Sequence, residues 1–345
     1  MKKKKLIYIL GISFVILGCN KKTDEIIPTN DYSEPFASSS IWNRQIPNNA
    51  NYYDVSDAIW ADSVQAPNRV DVELVTLCYV DETQPEVSFY KSEGWFYPDR
   101  SIKQGSVLYK RRLANISGTE TRYPNTGNAS FVIIDSKNGI SDEGSAGWRE
   151  PGEEFITFFD EPRLHNIDLN GAGLKGTLGS GLPALGGLLR TGEINSVINH
   201  SLAISLSSRR YSKDVHYVFP ASQGDGFASN TTYGYLGDNQ NYTLGTLLAI
   251  PKTINIDSVS WNTSQGYNLA IANQKYGWYI VDSSTGEVGG DLMKISMARR
   301  AAYEDLGLEV DHASNEITVD LNKIDILGFE NDVKSILQLV MATTK

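Results

Sequence analysis

The chain is 345 residues long and carries 31 lysines and arginines against 41 aspartates and glutamates, a net charge of −10 that becomes −14 once residues 1–18, with their four lysines, are removed. Phosphate binding needs a basic face, so this balance argues against nucleic acid as a partner, although a local basic groove could still suit an acidic glycan. Only Cys19 and Cys78 are present, too few for a disulfide framework, and a folded part of about 305 residues can hold one large core or two small ones.

Residues 1–19 read MKKKKLIYILGISFVILGC. Four lysines followed by about thirteen apolar positions form the basic and hydrophobic regions of an export signal, too short to span a bilayer as a stable helix. The terminal Leu17-Gly18-Cys19 resembles the bacterial lipoprotein box, which implies cleavage before Cys19 and acylation of its thiol by palmitate-like chains. Asn20-Lys21-Lys22-Thr23-Asp24-Glu25 resembles the short charged tags that send lipoproteins of the Bacteroidetes to the outer surface. The expected organisation is a signal peptide over 1–18, a flexible tether over 19–37 and a single β-rich domain over 38–345. The expected location is the cell outer membrane, facing outward, with the lipid as the only membrane contact and the oligomeric state left open.

Folded structure is expected from Phe36 to Asn43 onward, with a short helix around Val55 to Asp62. Arg69 to Val80 alternates Val70, Val72 and Leu74 with Asp71 and Glu73, the pattern of a half-buried strand, and places Cys78 as a small buried apolar residue. Residues 89–97 gather Trp95, Phe96 and Tyr97 near a glycine turn; they could form a platform for sugar rings or a hairpin whose aromatics enter the core. Residues 110–130 are polar and irregular. Phe131 to Asp135 runs into the Asn138-Gly139 turn, a hairpin signal. Further short strands are expected at Glu154–Phe159, His165–Leu169, His200–Leu206, Val215–Phe219, Leu244–Ile250 and Tyr279–Asp282. Helices are expected from a Thr263 or Ser264 cap to Gly277, from Ile295 to Leu306, and at the C-terminus, where Val333, Ile336, Leu337 and Val340 share one face. Together these predict a mainly β fold, a two-sheet, jelly-roll-like sandwich with a few peripheral helices.

Between Gly171 and Gly192 the chain places eight glycines, and Arg190, Glu193 and His200 follow within eleven positions. Gly171-Ala172-Gly173-Leu174-Lys175-Gly176 formally matches a dinucleotide fingerprint. That motif requires its third glycine to open a helix, and the following TLGSGLPALGG, with Pro183, does not read as one; no cofactor is expected. The histidines at 165, 200, 216 and 312 show no metal-ligand spacing, and no metal is expected.

The run Leu189-Arg190-Thr191-Gly192-Glu193-Ile194, then His200-Ser201-Leu202, with Trp42-Asn43 and Ile46-Pro47 near the start and Tyr276-Gly277-Trp278-Tyr279 near the end, resembles a family of secreted bacterial proteins whose function is not settled. The resemblance covers most of residues 38–290, with Ser201 standing where alanine is expected. It implies that Glu193 and His200 belong to one site or one structural feature, and it names no substrate.

Two chemistries fit these side chains. In β-elimination of a uronate-containing polysaccharide, Arg190 would hold the carboxylate through its forked donors, His200 or His216 would take the C5 proton, and Tyr211 or Tyr217 would protonate the leaving oxygen. In glycoside hydrolysis, Glu193 and Asp225 would form the carboxyl pair. The same residues also fit a purely structural arrangement: His200 shares the parity of Leu202, Ile204 and Leu206, and Arg190 and Glu193 can pair with each other. A polysaccharide lyase ranks first, a glycosidase second. A non-catalytic surface glycan-binding lipoprotein, using Trp95, Phe96, Tyr97 and His216, is the alternative from another class.

Because one thiol would carry the whole anchor, Cys19→Ala is expected to abolish fatty-acid labelling and release the protein from membranes. Labelled fatty acid on the variant would sink the lipoprotein reading.

Overall fold

A computed structural model describes residues 35–60, 69–96, 98–114, 128–150, 152–159, 164–284, 292–298, 304–311, 316–319 and 324–344. Cys19, the export signal, Tyr97 and His312 lie outside these residues. The strands are β1 (Tyr52–Tyr53), β2 (Arg69–Tyr79), β3 (Glu86–Ser92), β4 (Lys103–Arg112), β5 (Phe131–Asp135), β6 (Ile140–Gly144), β7 (Phe155–Phe158), β8 (Leu164–Asp168), β9 (Leu202–Leu206), β10 (Leu247–Ala249), β11 (Trp278–Ser283), β12 (Leu292–Ala298), β13 (Leu308–Asp311), β14 (Glu316–Val319) and β15 (Met341–Thr343). Helices α1 (Ser56–Trp60), α2 (Ser264–Tyr276) and α3 (Ile326–Leu339) accompany them, with a helical turn described at Glu304–Leu306.

The fold is mainly β, as the alternating strands and late helices predict. A ten-stranded sheet runs β1-β15-β10-β11-β9-β12-β2-β5-β6-β8, a three-stranded sheet runs β4-β3-β7, and β13 pairs with β14. The large sheet is mixed: β11 runs parallel to β9, and β12, β2 and β5 run parallel in series. Strand β5 is buried on both faces. Val132 and Ile134 enter the main core, while Phe131 and Ile133 meet Cys78, Phe89 and Phe158 under the small sheet. Phe158 stacks on Phe89 at 5.8 Å and meets Phe131 edge-on at 5.6 Å, so the two sheets close on an aromatic seam. Cys78 is buried there, as its strand position predicts.

The main core lies between the large sheet and the two longer helices. Leu269, Ala270 and Ala272 of α2, with Phe329, Val333, Ile336 and Leu337 of α3, turn into it. Thr263 caps α2 by accepting from the Gly266 amide at 3.0 Å, and Gly277, at φ +77°, ends it. Buried Asp332 of α3 accepts from the Asn262 and Thr263 amides at 2.8 Å each, which locks the two helices together. Asn273 of α2 reaches the sheet, accepting from the Ile250 amide at 2.8 Å and donating to the Leu248 carbonyl at 3.1 Å.

The helix expected from Ile295 to Leu306 begins as a strand, and among the described residues only its end, Glu304–Leu306, is helical. Ile295 to Ala298 belongs to β12, where Ile295 and Met297 pack into the core and the backbone pairs with β2 and β9. Pairing on both edges and burial on both faces outweigh helix propensity in so short an apolar run. Likewise Val215 to Phe219 forms only a single bridge, Tyr217 to Leu244, and residues 110–112 end β4 rather than opening an irregular stretch. Phe36, inside the stretch read as tether, is already buried and donates its amide to the Leu169 carbonyl at 2.6 Å.

The glycine-rich segment is irregular yet internal, with Leu178, Leu182, Ala184, Leu185, Leu188 and Leu189 all in the core. Buried irregular backbone needs partners for its polar groups; some lie within the segment, such as the Gly181 carbonyl for the Gly176 amide, and others come from elsewhere in the chain. The Trp42 indole donates to the Gly173 carbonyl at 2.8 Å, the Ala203 amide to the Gly187 carbonyl at 2.9 Å, and the Leu189 amide to the Ser296 carbonyl at 3.0 Å. Glu143, fully buried on β6, accepts from the amides of Ala184 at 2.9 Å, Leu185 at 3.1 Å and Thr177 at 3.3 Å. Burial pushes this carboxyl up to about 7 despite the three donors.

Gly186 and Gly187 are among the glycines that leave no room for a side chain. A Cβ on Gly187, at φ +67°, would lie 2.5 Å from the Ala203 nitrogen, and one on Gly186 would lie 2.4 Å from the Trp42 ring. Gly187→Val and Gly186→Val are each expected to lose about 1 to 3 kcal/mol or more in chemical denaturation. Gly192, at φ +82° with nothing within 4 Å of its Cβ position, supplies the comparison: Gly192→Ala should cost only the backbone strain, about 1 kcal/mol. Equal midpoints for all three variants and the parent would refute this reading of the segment.

Candidate active site

Arg190, Glu193 and His200 do come together. Glu193 accepts from the Arg190 amide at 2.7 Å and from its guanidinium at 3.0 Å, and the His200 Nε2 lies 3.2 and 3.1 Å from the two carboxylate oxygens. His200 is only 2 % exposed, and its Nδ1 lies 2.8 Å from the Ser201 carbonyl. Both ring nitrogens therefore face acceptors, and both contacts are hydrogen bonds only when both carry hydrogen. The cluster closes on itself: its one anion and two basic side chains are spent on each other and on the turn that Arg190 begins. Asp305 extends it by accepting from the Gly192 amide at 2.7 Å. This is a pin that fastens the end of the glycine-rich segment to the start of β9, and Glu193 has no direct pairing with Asp225 in it.

Asp225 instead meets Asp282, which the sequence shows only as the last residue of an expected strand. Asp282 stands at the end of β11, where a bulge inserts Val281 so that Asp282, rather than its predecessor, lies opposite Ser205 of β9. Its carboxylate is buried and accepts from Asn128 Nδ2 at 2.6 Å, the Gly179 amide at 3.1 Å and the Ser283 amide at 2.8 Å. Asp225, half-buried in its glycine-flanked loop, accepts from the Tyr235 hydroxyl at 2.8 Å. One Asp225 oxygen and one Asp282 oxygen lie 2.5 and 2.8 Å from the point where a Gly179 Cβ would stand. Glycine at that position is what lets the two carboxyl groups approach.

Behind the pair, Asn128 also donates its amide to Glu73 at 3.1 Å, and Lys294 holds the other Glu73 oxygen at 3.0 Å. Tyr211, fully buried, lies with its hydroxyl 2.7 Å from the Asp282 carbonyl and packs edge-on against Tyr235 at 5.1 Å. Burial raises both acids, and the neighbouring Asp225 charge adds to the effect on Asp282, which is pushed up to about 7. Two carboxyl groups so placed are coupled, so that ionising one disfavours ionising the other.

The remaining predicted residues divide between two places. His216 sits beside the acid pair, its ring edge-on to Tyr235 at 5.5 Å, and Tyr217 follows it on the exposed surface. Trp95 and Phe96 lie in the loop after β3; Trp95 is half-buried against Phe159 at 5.7 Å, and Phe96 is exposed. They do not form a flat aromatic row. Asp282, Tyr235 and Asn128 carry no sequence signal of their own, since the approach of each depends on strand order and on the glycine loop. Comparison with family models, with curated proteins and with solved structures finds no match to this chain.

The two clusters have opposite pH signatures. Burial raises the Glu193 carboxyl, but the His200 hydrogen bond and the Arg190 charge outweigh it and leave the group below its ordinary 4.5. A carboxyl lowered in the fold stabilises it above that ordinary value, and the contribution is lost as pH falls through the lowered one. Asp282 is raised, so the fold binds its proton more tightly than the unfolded chain does, and that contribution is lost as pH rises from about 4 to about 7. Glu193→Gln should therefore unfold more easily than the parent at neutral pH, by about 1 to 3 kcal/mol, with the gap closing in acid. Asp282→Asn should flatten the parent's decline in stability between those limits. Thermal unfolding of both variants across pH 3 to 8 checks this; a gap for Glu193→Gln that widens in acid contradicts it.

Proposed function

We propose that the chain is a surface lipoprotein that hydrolyses an extracellular polysaccharide, with Asp225 and Asp282 as its acid pair. The observation that carries this reading is the meeting of two carboxyl groups over Gly179, one half-buried and one buried, beside loops that present aromatic side chains. Close carboxyl pairs are the recurring machinery of glycoside cleavage. In this scheme Asp225, the more accessible member, gives its proton to the leaving glycosidic oxygen as the C–O bond breaks. The charge left on the pair, held by the donors around Asp282, faces the oxocarbenium-like carbon, and the water that adds there returns a proton to Asp225. Asn128 and Tyr235 act as positioning residues through the carboxylates they hold.

Elimination by a lyase is less well served. Arg190 and His200, which that chemistry needs free to meet a uronate, are spent on Glu193 and on the backbone. A non-catalytic glycan-binding role is the second reading, favoured by the complete burial of Asp282 and its three donors.

The test incubates the full chain with a panel of neutral and uronic polysaccharides and follows reducing ends together with absorbance near 235 nm. Reducing ends are expected without the unsaturated chromophore, and Asp225→Asn should lower turnover by about 10² to 10⁴-fold at unchanged melting temperature. A 235 nm product that survives Asp225→Asn and is lost in a folded His200→Ala variant would instead establish elimination at the Arg190 cluster. Retention of polysaccharide with no product of either kind would establish the binding role.

A further inference from the structure

The acid pair lies among side chains that the cleavage scheme does not use. Large apolar side chains are costly to leave in water, and scattered single ones need no explanation, whereas a concentration of them marks a binding surface. Among the described residues, three of the five exposed aromatic side chains fall between positions 217 and 233: Tyr217 at 46 %, Phe219 at 75 % and Tyr233 at 56 % exposure. They come from the two segments that flank the Asp225 loop, and both segments are anchored on the same ring. His216 meets Tyr235 edge-on at 5.5 Å, and Phe227 meets it at 6.3 Å while also contacting Tyr233 at 6.4 Å. Tyr235 in turn holds Asp225 through its hydroxyl at 2.8 Å. The anchoring ring therefore ties the exposed aromatics and the carboxyl pair into one surface.

The charge of that surface selects the occupant. Asp225 and Asp282 are acidic, and Lys213 is paired with Asp238 at 2.5 Å. Arg210 turns inward to the Ala58 and Ile59 carbonyls at the end of α1, which leaves Arg209 as the exposed cation of the neighbouring turn. A uronate chain would bring repeated carboxylates against these acids, an arrangement that like charges disfavour. The C–H faces of uncharged pyranose rings fit exposed aromatic faces without that cost.

We infer that Tyr217, Phe219 and Tyr233 form a stacking surface for a neutral glycan chain and thereby set the substrate class of the site toward neutral rather than uronic polysaccharide. This rests on the glycan-directed reading above and replaces the uronate expectation with a neutral one.

Affinity electrophoresis of the full chain against soluble galactomannan, xyloglucan, α-glucan and polygalacturonate tests it. At least one neutral polymer should retard the protein more than polygalacturonate does. Phe219→Ala and Tyr233→Ala should each weaken that retardation by about 3- to 10-fold, the range for loss of one aromatic contact. Phe96→Ala, which removes the exposed aromatic in the loop after β3, should change nothing. Preference for polygalacturonate, especially if lost in Arg209→Ala, overturns the inference, as do unchanged affinities of both aromatic variants or binding to none of the four polymers. The two readings fail separately: neutral-polymer binding without new reducing ends defeats hydrolysis and keeps the stacking surface, whereas cleavage of polygalacturonate alone keeps hydrolysis and defeats the neutral class.

Discussion

The buried carboxylate of Glu143 is the contact on which the centre of the molecule turns. A stretch of more than twenty residues with eight glycines has too few side chains to hold itself, and inside a protein its amides need acceptors. Glu143 supplies one acceptor group for three of them, at Thr177, Ala184 and Leu185, and so fastens two separate points of the segment to β6. Trp42 fills the space that the glycines vacate and takes the Gly173 carbonyl. A long internal loop is stable here because polar groups far away in the chain are committed to it, and because its own leucines contribute to the core.

The acid pair follows from the same arrangement. Gly179 belongs to the segment that Glu143 holds, and its amide is one of the donors to Asp282. Its missing side chain opens the gap in which Asp225 and Asp282 meet. The bulge in β11 sets the position of Asp282, and Tyr235, packed edge-on against Tyr211, sets that of Asp225. Burial raises both carboxyl groups, the Asp225 charge adds to the effect on Asp282, and structure on three sides maintains the arrangement, which is the condition under which strained electrostatics persist in a folded protein.

The cluster of Arg190, Glu193 and His200 teaches the opposite lesson. Charged residues three and seven positions apart beside a turn can reach one another without help from the rest of the chain, and here they do so completely. Their proximity along the chain made them conspicuous, and the same proximity lets them satisfy one another rather than a ligand. The parity of His200 with Leu202, Ile204 and Leu206 already pointed to burial, and the ring is indeed buried.

What the chain alone determined is whatever depends on local pattern. Alternation in Arg69–Tyr79, the Asn-Gly turn after Phe131–Asp135, the Thr263 cap with Gly277, and the helical face of Val333, Ile336 and Leu337 each state their outcome within a dozen residues, because hydrogen bonding and burial there repeat at the period of the element. The strand nature of Ile295–Ala298, the sheet order, the parallel pairing of β9 with β11 and the burial of the glycine segment belong to tertiary structure. Each needs a partner strand or acceptor that is remote along the chain, and no local period encodes it. The meeting of Asp225 with Asp282 is of this second kind: it joins a loop to the end of a strand some fifty residues away, and only the fold could bring two acids of such ordinary local context to face one another.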